Sequence, residues 1–476
     1  MTDAVVRTTG APSRPSTEQP IDRALRRAGD WLSHHQQVLR RIQWVIIAVY
    51  VVLVVVPTIV PLPGRTAHIW SHVTLFAQFA FWGIWWPFVL LSMALVGRAW
   101  CGILCPEGAL SEIVSERGRG LSTPRWMKWR GWPFAAFAMT TIYGQMVSVY
   151  QYPGPVLVIL GGSTGGAMVV GYLYGRNKRV WCRYLCPVNG VFGLMSKLAP
   201  FHYRVDQDTW RNAPKHSVGK RDFVNCAPLV PIRTMRGTAM CHMCGRCSGV
   251  KGAVALSRRS PMHEIVHVAG DEAHLWDTML IVFGLMGVAA GAFHWTSSDL
   301  YISVKQWLAE QLLARGLSWP LEPILPWWIL TNYPQANDVL TPLDGVVLVG
   351  YIVTTALLIG GIVMLCLALA TRAAAPWQTR RFHHLAQGLV PLAGCGVFLG
   401  LSAITVTMLR TEGLALSFVG ALRAALLVGA SLWAAVFGWR ILGLTATGTG
   451  RIGAFLPYLG AVATGAASWA LLFWPI

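Results

Sequence analysis

Charge is what this 476-residue chain lacks: only 12% of its residues are Asp, Glu, Lys or Arg, about half the share found in soluble domains. Acidic residues are the scarcer kind, 20 against 39 basic ones. A chain that is 54% hydrophobic and so poorly charged cannot hide its apolar side chains inside one water-facing globule, so it needs lipid as solvent. That excludes an ordinary cytosolic enzyme, a disordered chain and a disulfide-stapled secreted domain. Familiar catalytic signatures are missing as well. There is no Walker phosphate loop, no nucleophile elbow between a strand and a helix, and nothing that indicates flavin. No short apolar segment with a small-residue cleavage site follows Met1, so no cleavable signal peptide is expected.

What the chain has in quantity is long apolar runs. Stretches of about 20 residues suit a bilayer, and they fall near 43–63, 71–96, 131–151, 155–174, 276–297, 345–371, 384–408, 416–439 and 453–475. The expected fold is an all-α polytopic membrane protein of about nine transmembrane helices. Its expected parts are a basic N-terminal tail (1–42), a four-helix membrane domain (43–197), a cytoplasmic cysteine-bearing segment (198–275) and a C-terminal membrane domain of about five helices (276–476). With the N-terminus in the cytoplasm, 34 of the 39 Lys and Arg lie on the inner side. This positive-inside bias predicts a multi-pass protein of the bacterial inner membrane, its N-terminus and cysteine motifs cytoplasmic and its C-terminus periplasmic. It also accounts for most of the net charge of +19 without nucleic acid as a partner. The piece around Ile21–Arg41 reads either as a basic surface helix or as a frayed tail, and 301–315 as an amphipathic helix on the outer face.

Ten cysteines are present, eight of them between Cys101 and Cys247. Arg98-Ala-Trp100-Cys101-Gly-Ile-Leu104-Cys105-Pro106 parallels Arg179-Val-Trp181-Cys182-Arg-Tyr-Leu185-Cys186-Pro187, 81 residues later. Each copy follows a predicted helix pair, so a parallel duplication would bring the two CxxxCP motifs together. Proline suits the first turn of a helix, which predicts Cys105 and Cys186 at helix N-termini, where the dipole and free N–H groups favour thiolate. Arg98, Arg179 and Arg183 add positive charge. Four such thiolates, Cys101, Cys105, Cys182 and Cys186, could hold one [4Fe–4S] cluster. Buried structural cysteines, disulfides, and a copper(I) or zinc site are the competing readings. The run Cys241-His-Met-Cys244-Gly-Arg-Cys247 has the three-cysteine spacing of bacterial ferredoxins. With Cys226 as fourth ligand it suffices for a second cubane, and zinc is the alternative. Cys366 and Cys395 lie in apolar spans and read as core residues.

Two CxxxCP motifs at the inner ends of paired spans, followed by a cysteine-rich cytoplasmic segment, resemble the NapH/NosR/CcoG group of membrane-bound, polyferredoxin-like 4Fe–4S proteins over roughly residues 40–260. The resemblance implies two [4Fe–4S] clusters and electron transfer between a quinol or a cytoplasmic donor and a respiratory redox partner protein. The chain would then be a quinol-dehydrogenase-type subunit without a substrate site of its own, in contact with membrane lipid and the quinone pool. By matching motif, Cys101, Cys105, Cys182 and Cys186 are the membrane-edge cysteines, and Cys241, Cys244 and Cys247 the ferredoxin-type ligands. Typical members carry two complete CxxCxxCxxxCP motifs. Here one truncated run stands with Cys226 before it, and five further spans follow. Copper or metal handling through the CxxxCP thiolates, or a transporter with regulatory cysteines, are the alternative functions.

His68, His72, His294, His383 and His384 lie in or near spans, where histidines can ligate haem b; that needs two facing each other at one depth. Arg423 sits inside a span, with Glu412 as the carboxylate that could pair with it. Gly161–Gly166 lies within a predicted span, where close helix packing explains the glycines better than phosphate binding.

Overall fold

The computed structural model describes residues 20–64, 66–213 and 224–474; the tail before Pro20 and the position of Arg65 lie outside them. Eight helices among the described residues are long and apolar enough to cross a bilayer: Gln36–Ile59, Val73–Val96, Pro153–Tyr174, Leu275–Ser297, Pro342–Ala374, Val390–Thr411, Val419–Leu442 and Gly448–Phe473. Large apolar side chains such as Val346, Leu358, Leu432 and Leu456 stand exposed along them, as side chains solvated by lipid do. Inside, Leu280, Leu285 and Met286 meet Val363, Leu392, Tyr458 and Trp469 in one core that joins both halves of the chain. Close approach is needed there: a Cβ at Gly438 would come 2.0 Å from the Tyr458 ring.

Two spans differ from expectation. The stretch 131–151 forms only the 15-residue helix Trp132–Met146, about 22 Å long at 1.5 Å per residue against a hydrocarbon core of about 30 Å. It stops because Val147 leaves helical dihedrals and Ser148 takes a left-handed φ of 50°, before Pro153 opens the next helix. It still carries the chain back, since the motifs before and after it meet at one end of the bundle. The span expected at 384–408 begins later, at Val390. Pro391 stands in its first turn, where a missing N–H costs nothing. His383 and His384 belong to the separate helix Thr379–Gln387. The helix expected at 301–315 runs Asp299–Ala314, capped by Ser298, whose side chain accepts from the Tyr301 N–H.

The cysteine-bearing segment is built on one antiparallel strand pair, β1 (Phe201–Val205) and β2 (Val254–Arg258), with Tyr203 opposite Leu256. Helix Pro20–His34 lies over it, so this part of the basic N-terminal region is an ordered helix packed on protein. The contact is tight at Gly29, where a Cβ would meet Ser248 Oγ at 2.9 Å and Leu256 Cβ at 3.0 Å. Ser248 Oγ also donates to Asp30 Oδ1 at 2.8 Å.

Candidate metal centre

The helix Val73–Val96 ends at Gly97, whose φ of 68° turns the chain sharply into the first CxxxCP motif. Cys105 then caps helix Pro106–Ser115, its Sγ accepting from Gly108 N at 3.4 Å, with Pro106 in the first turn. The expectation for Cys105 is met. At the second motif it is not: Cys186 and Pro187 lie in a turn, and the helix starts only at Asn189, behind the cap residue Val188. The Asn189 N–H instead donates to the Cys186 carbonyl at 3.0 Å, closing a turn of its own before the helix.

The duplicated motifs come together as expected. A Cβ at Gly108 would lie 3.5 Å from both Cys182 Sγ and the Cys101 carbonyl oxygen, so the helix opened by the first motif cradles a thiol of the second. Burial pushes the Cys105 thiol well up, and the charges of Cys101, Cys182 and Glu107 push it further. Burial likewise raises Cys186, followed by the charges of Glu107, Cys182, Cys105 and Cys101. Cys182 rises to about 12, mainly through burial, with Arg179 opposing the rise. Such thiols ionise together only beside a concentrated positive charge, which is what a metal centre supplies.

Cys226, Cys241, Cys244 and Cys247 line one small apolar cavity of about 20 Å³, walled by Tyr203, Val230, Ile232 and Met235. The run bends around it because Met243, Gly245 and Gly249 all take left-handed φ values of 53°, 79° and 77°. Burial pushes Cys241 up to about 12 and Cys247 well up. Cys226, the expected fourth member, lines the same cavity. Among the described residues, no three His, Cys, Asp or Glu side chains converge on one metal ion. In the second set the four cysteines share the lining of that one cavity. Cys366 and Cys395 lie half-buried in the C-terminal bundle, and Cys395 Sγ donates to the Leu426 carbonyl at 3.5 Å.

Arginines cross-brace the two sets. Arg179 of the second motif is 2% exposed and donates to the Cys101 carbonyl at 2.5 Å and to Glu112 Oε2 at 2.7 Å. Arg98 of the first motif donates to the Ala239 carbonyl at 2.6 Å and to Asn189 Oδ1 at 2.7 Å. Glu107 and Glu112 were missed by sequence reading. Both are among only 20 acidic residues, and both sit on the short helix opened by Cys-Pro, which was a usable signal.

The expected pairing of Arg423 is corrected. Glu412 does not pair with Arg423. It accepts from His68 Nδ1 at 3.2 Å and Ile69 N at 2.7 Å, while the Arg423 guanidinium lies 4.3 Å from the Phe473 ring centroid. His294 bonds Tyr351, His383 bonds Thr278 and His384 bonds the Ile265 carbonyl. In the glycine run, Gly162 and Gly165 face open space. Close packing falls at Gly166, where a Cβ would stand 3.3 Å from the Trp181 ring, and further along the helix at Gly171, where it would stand 2.6 Å from the Ser111 carbonyl oxygen.

Fold and site together define a helical membrane protein with a duplicated 4Fe–4S binding module. The model of the 4Fe-4S binding domain family matches twice, over residues 78–124 and 158–205, once for each helix and CxxxCP motif. The chain is 25% identical over 232 residues to the putative electron transport protein YccM of Escherichia coli K12, covering 43% of this chain and 62% of that protein. It is 28% identical over 141 residues to the regulatory protein NosR of Pseudomonas aeruginosa PAO1, covering 25% of this chain and 19% of that one. The chain is thus similar, in its 4Fe-4S binding domain region, to membrane proteins of which NosR is one. The chain spans less than two thirds of the length of either relative, and no solved structure matches it.

Proposed function

We propose that the protein is an inner-membrane electron carrier that oxidises a membrane quinol and passes the electrons through two [4Fe–4S] clusters to a redox partner on the cytoplasmic side. One cluster would be held by Cys101, Cys105, Cys182 and Cys186, the other by Cys226, Cys241, Cys244 and Cys247. The observation that carries the quinol reading is a cavity of about 550 Å³ between the duplicated domain and the spans Leu275–Ser297 and Val390–Thr411, in the size range of small-molecule sites. It is mostly apolar and aromatic, lined by Trp82, Phe137, Tyr150 and Phe192, and it reaches Glu107 and Cys186 at its inner end. One buried indole N–H on its wall, that of Trp86, has no hydrogen-bond partner among the described residues, while the Trp181 indole faces the Glu107 carboxylate. An aromatic head group bearing an oxygen acceptor suits such a site. The apolar wall holds the ring, and the Trp86 indole donates to its oxygen. Glu107, fixed by Ser163 Oγ at 2.9 Å, offers an acceptor at the end nearest the thiols. The clusters supply one-electron redox capacity, tuned by burial and the flanking arginines.

The test is anaerobic purification of the full chain, with iron, sulfide, copper and zinc analysis and low-temperature EPR, followed by addition of a short-chain quinol. The expected result is about eight iron atoms per chain and EPR signals that appear on adding quinol. Copper or zinc without iron would move the protein to metal handling. Iron that dithionite reduces and quinol does not would leave only the cytoplasmic donor.

A further inference from the structure

The two thiol sets are physically joined. A Cβ at Gly102, inside the first CxxxCP motif, would stand 2.0 Å from the His242 carbonyl oxygen and 3.0 Å from Cys244 N, so the first motif rests directly on the backbone of the second set. The residues leading into the second motif hold the Cys226 loop. Arg179 N donates to the Ala227 carbonyl at 2.8 Å, Lys178 Nζ to the Cys226 carbonyl at 3.1 Å and Asn225 Nδ2 to the Asn177 carbonyl at 3.1 Å.

Between the sets runs a chain of fixed charges, buried at Arg179 and Glu112 and partly exposed at Arg246. Glu112, itself buried, takes Arg179 Nε on Oε2 at 2.7 Å and Arg246 Nη1 on Oε1 at 2.5 Å. Arg246 lies between Cys244 and Cys247 in sequence and donates through Nε to Gln36 Oε1 at 3.0 Å. Arg179 feels the charge of Cys182 in one set and of Cys244 in the other. Although burial opposes its ionisation, Glu112 is held below the usual carboxylate range by the two guanidinium groups. The repeat does not require this arrangement: the position equivalent to Glu112, 81 residues on, is Gly193. The acid is a departure from the duplication, found on the side facing the second set.

We propose that the Arg179–Glu112–Arg246 bridge is a positioning and tuning element shared by both clusters: it locks the two sets into one redox unit and sets both reduction potentials together. Fixed charges act on a cluster through space, more strongly when buried. Removing the Arg179 charge therefore disfavours the added electron in both clusters, and removing the Glu112 charge favours it in both. The inference rests on the reading that each set holds a cluster, which the iron content and the two EPR signals of the unaltered protein test separately.

The experiment is an EPR-monitored redox titration of the full-length protein with Arg179→Gln, Arg179→Lys and Glu112→Gln. In R179Q both signals should move to lower potential by at least a tenfold change in the reduction equilibrium, 59 mV for a one-electron couple. In E112Q both should move higher, and R179K, which keeps the charge, should return both toward the native values. Should R179Q fail to retain iron, the near-isosteric E112Q decides alone. A shift confined to the first signal would show that Arg179 only braces the Cys101 loop. Shifts of the same sign in R179Q and E112Q would show that charge is not the cause. Either result overturns the proposal.

Discussion

Alanine at Gly102 is the sharpest perturbation of the join between the two cysteine sets. The added Cβ would stand 2.0 Å from the His242 carbonyl oxygen and 3.0 Å from Cys244 N. Both neighbours are backbone, so neither can rotate away as a side chain could. Separations under 3.0 Å are essentially never seen for real Cβ atoms. The loops must therefore part by about 1 Å or more in a close-packed region. Overpacking of this kind costs about 1–3 kcal/mol. Parting also weakens the bonds that the Gly102 carbonyl accepts from Gln43 at 3.3 Å and from Arg179 at 3.4 Å, each worth about 1 kcal/mol at most. The expected outcome for Gly102→Ala is a lower melting temperature in detergent and partial loss of iron from the second set, whose loop is displaced. The control is Gly162→Ala: nothing lies within 4 Å of its Cβ, and alanine favours a helix by about 1 kcal/mol, so stability should hold or rise slightly. A G102A protein with native melting, iron content and EPR signals would refute the idea that the two sets are in contact.

Filling the membrane cavity with Gly162→Phe, where the wall has room for a side chain, should abolish reduction by quinol while leaving iron content unchanged, as read by EPR after quinol and after dithionite. Cys244→Ser should remove one signal and about four iron atoms while sparing the CxxxCP signal; simultaneous loss of both would mean that the ligands are divided differently. His202 on β1 is held down to about 4 by burial and by Arg259, against about 6.5 when unfolded. The unfolded chain thus binds the proton more readily, so the stability it contributes is intact above about pH 6.5 and declines as pH falls toward 4. Amide protection factors across residues 201–205 and 254–258, each taken against the intrinsic exchange rate at the same pH, should fall at pH 5 relative to pH 7.5, and His202→Gln should flatten that dependence.

Sequence alone determined the membrane fold and the inventory of thiols. Hydrophobic runs of bilayer length are forced by the solvent, since no backbone polar group can be left unpaired in lipid, and eight of the nine expected spans appear as crossing helices. Repetition of Arg-x-Trp-Cys-x-x-Leu-Cys-Pro made the meeting of Cys101, Cys105, Cys182 and Cys186 legible, because two copies of one helix pair pack alike. The limits of that symmetry were not legible. Whether Cys-Pro caps a helix depends on where the following turn closes, and it does so at Pro106 but not at Pro187. Only tertiary structure decided that Cys226 faces the Cys241–Cys247 run, that an aromatic cavity reaches Cys186, and that Glu112 lies between Arg179 and Arg246. These are contacts between segments tens of residues apart, fixed by how loops cross at the end of the bundle, and no local period in the chain records them. The same reason explains why Glu412 met His68 rather than Arg423: charge on a span predicts that a partner or an aromatic face is needed, while helix packing selects which.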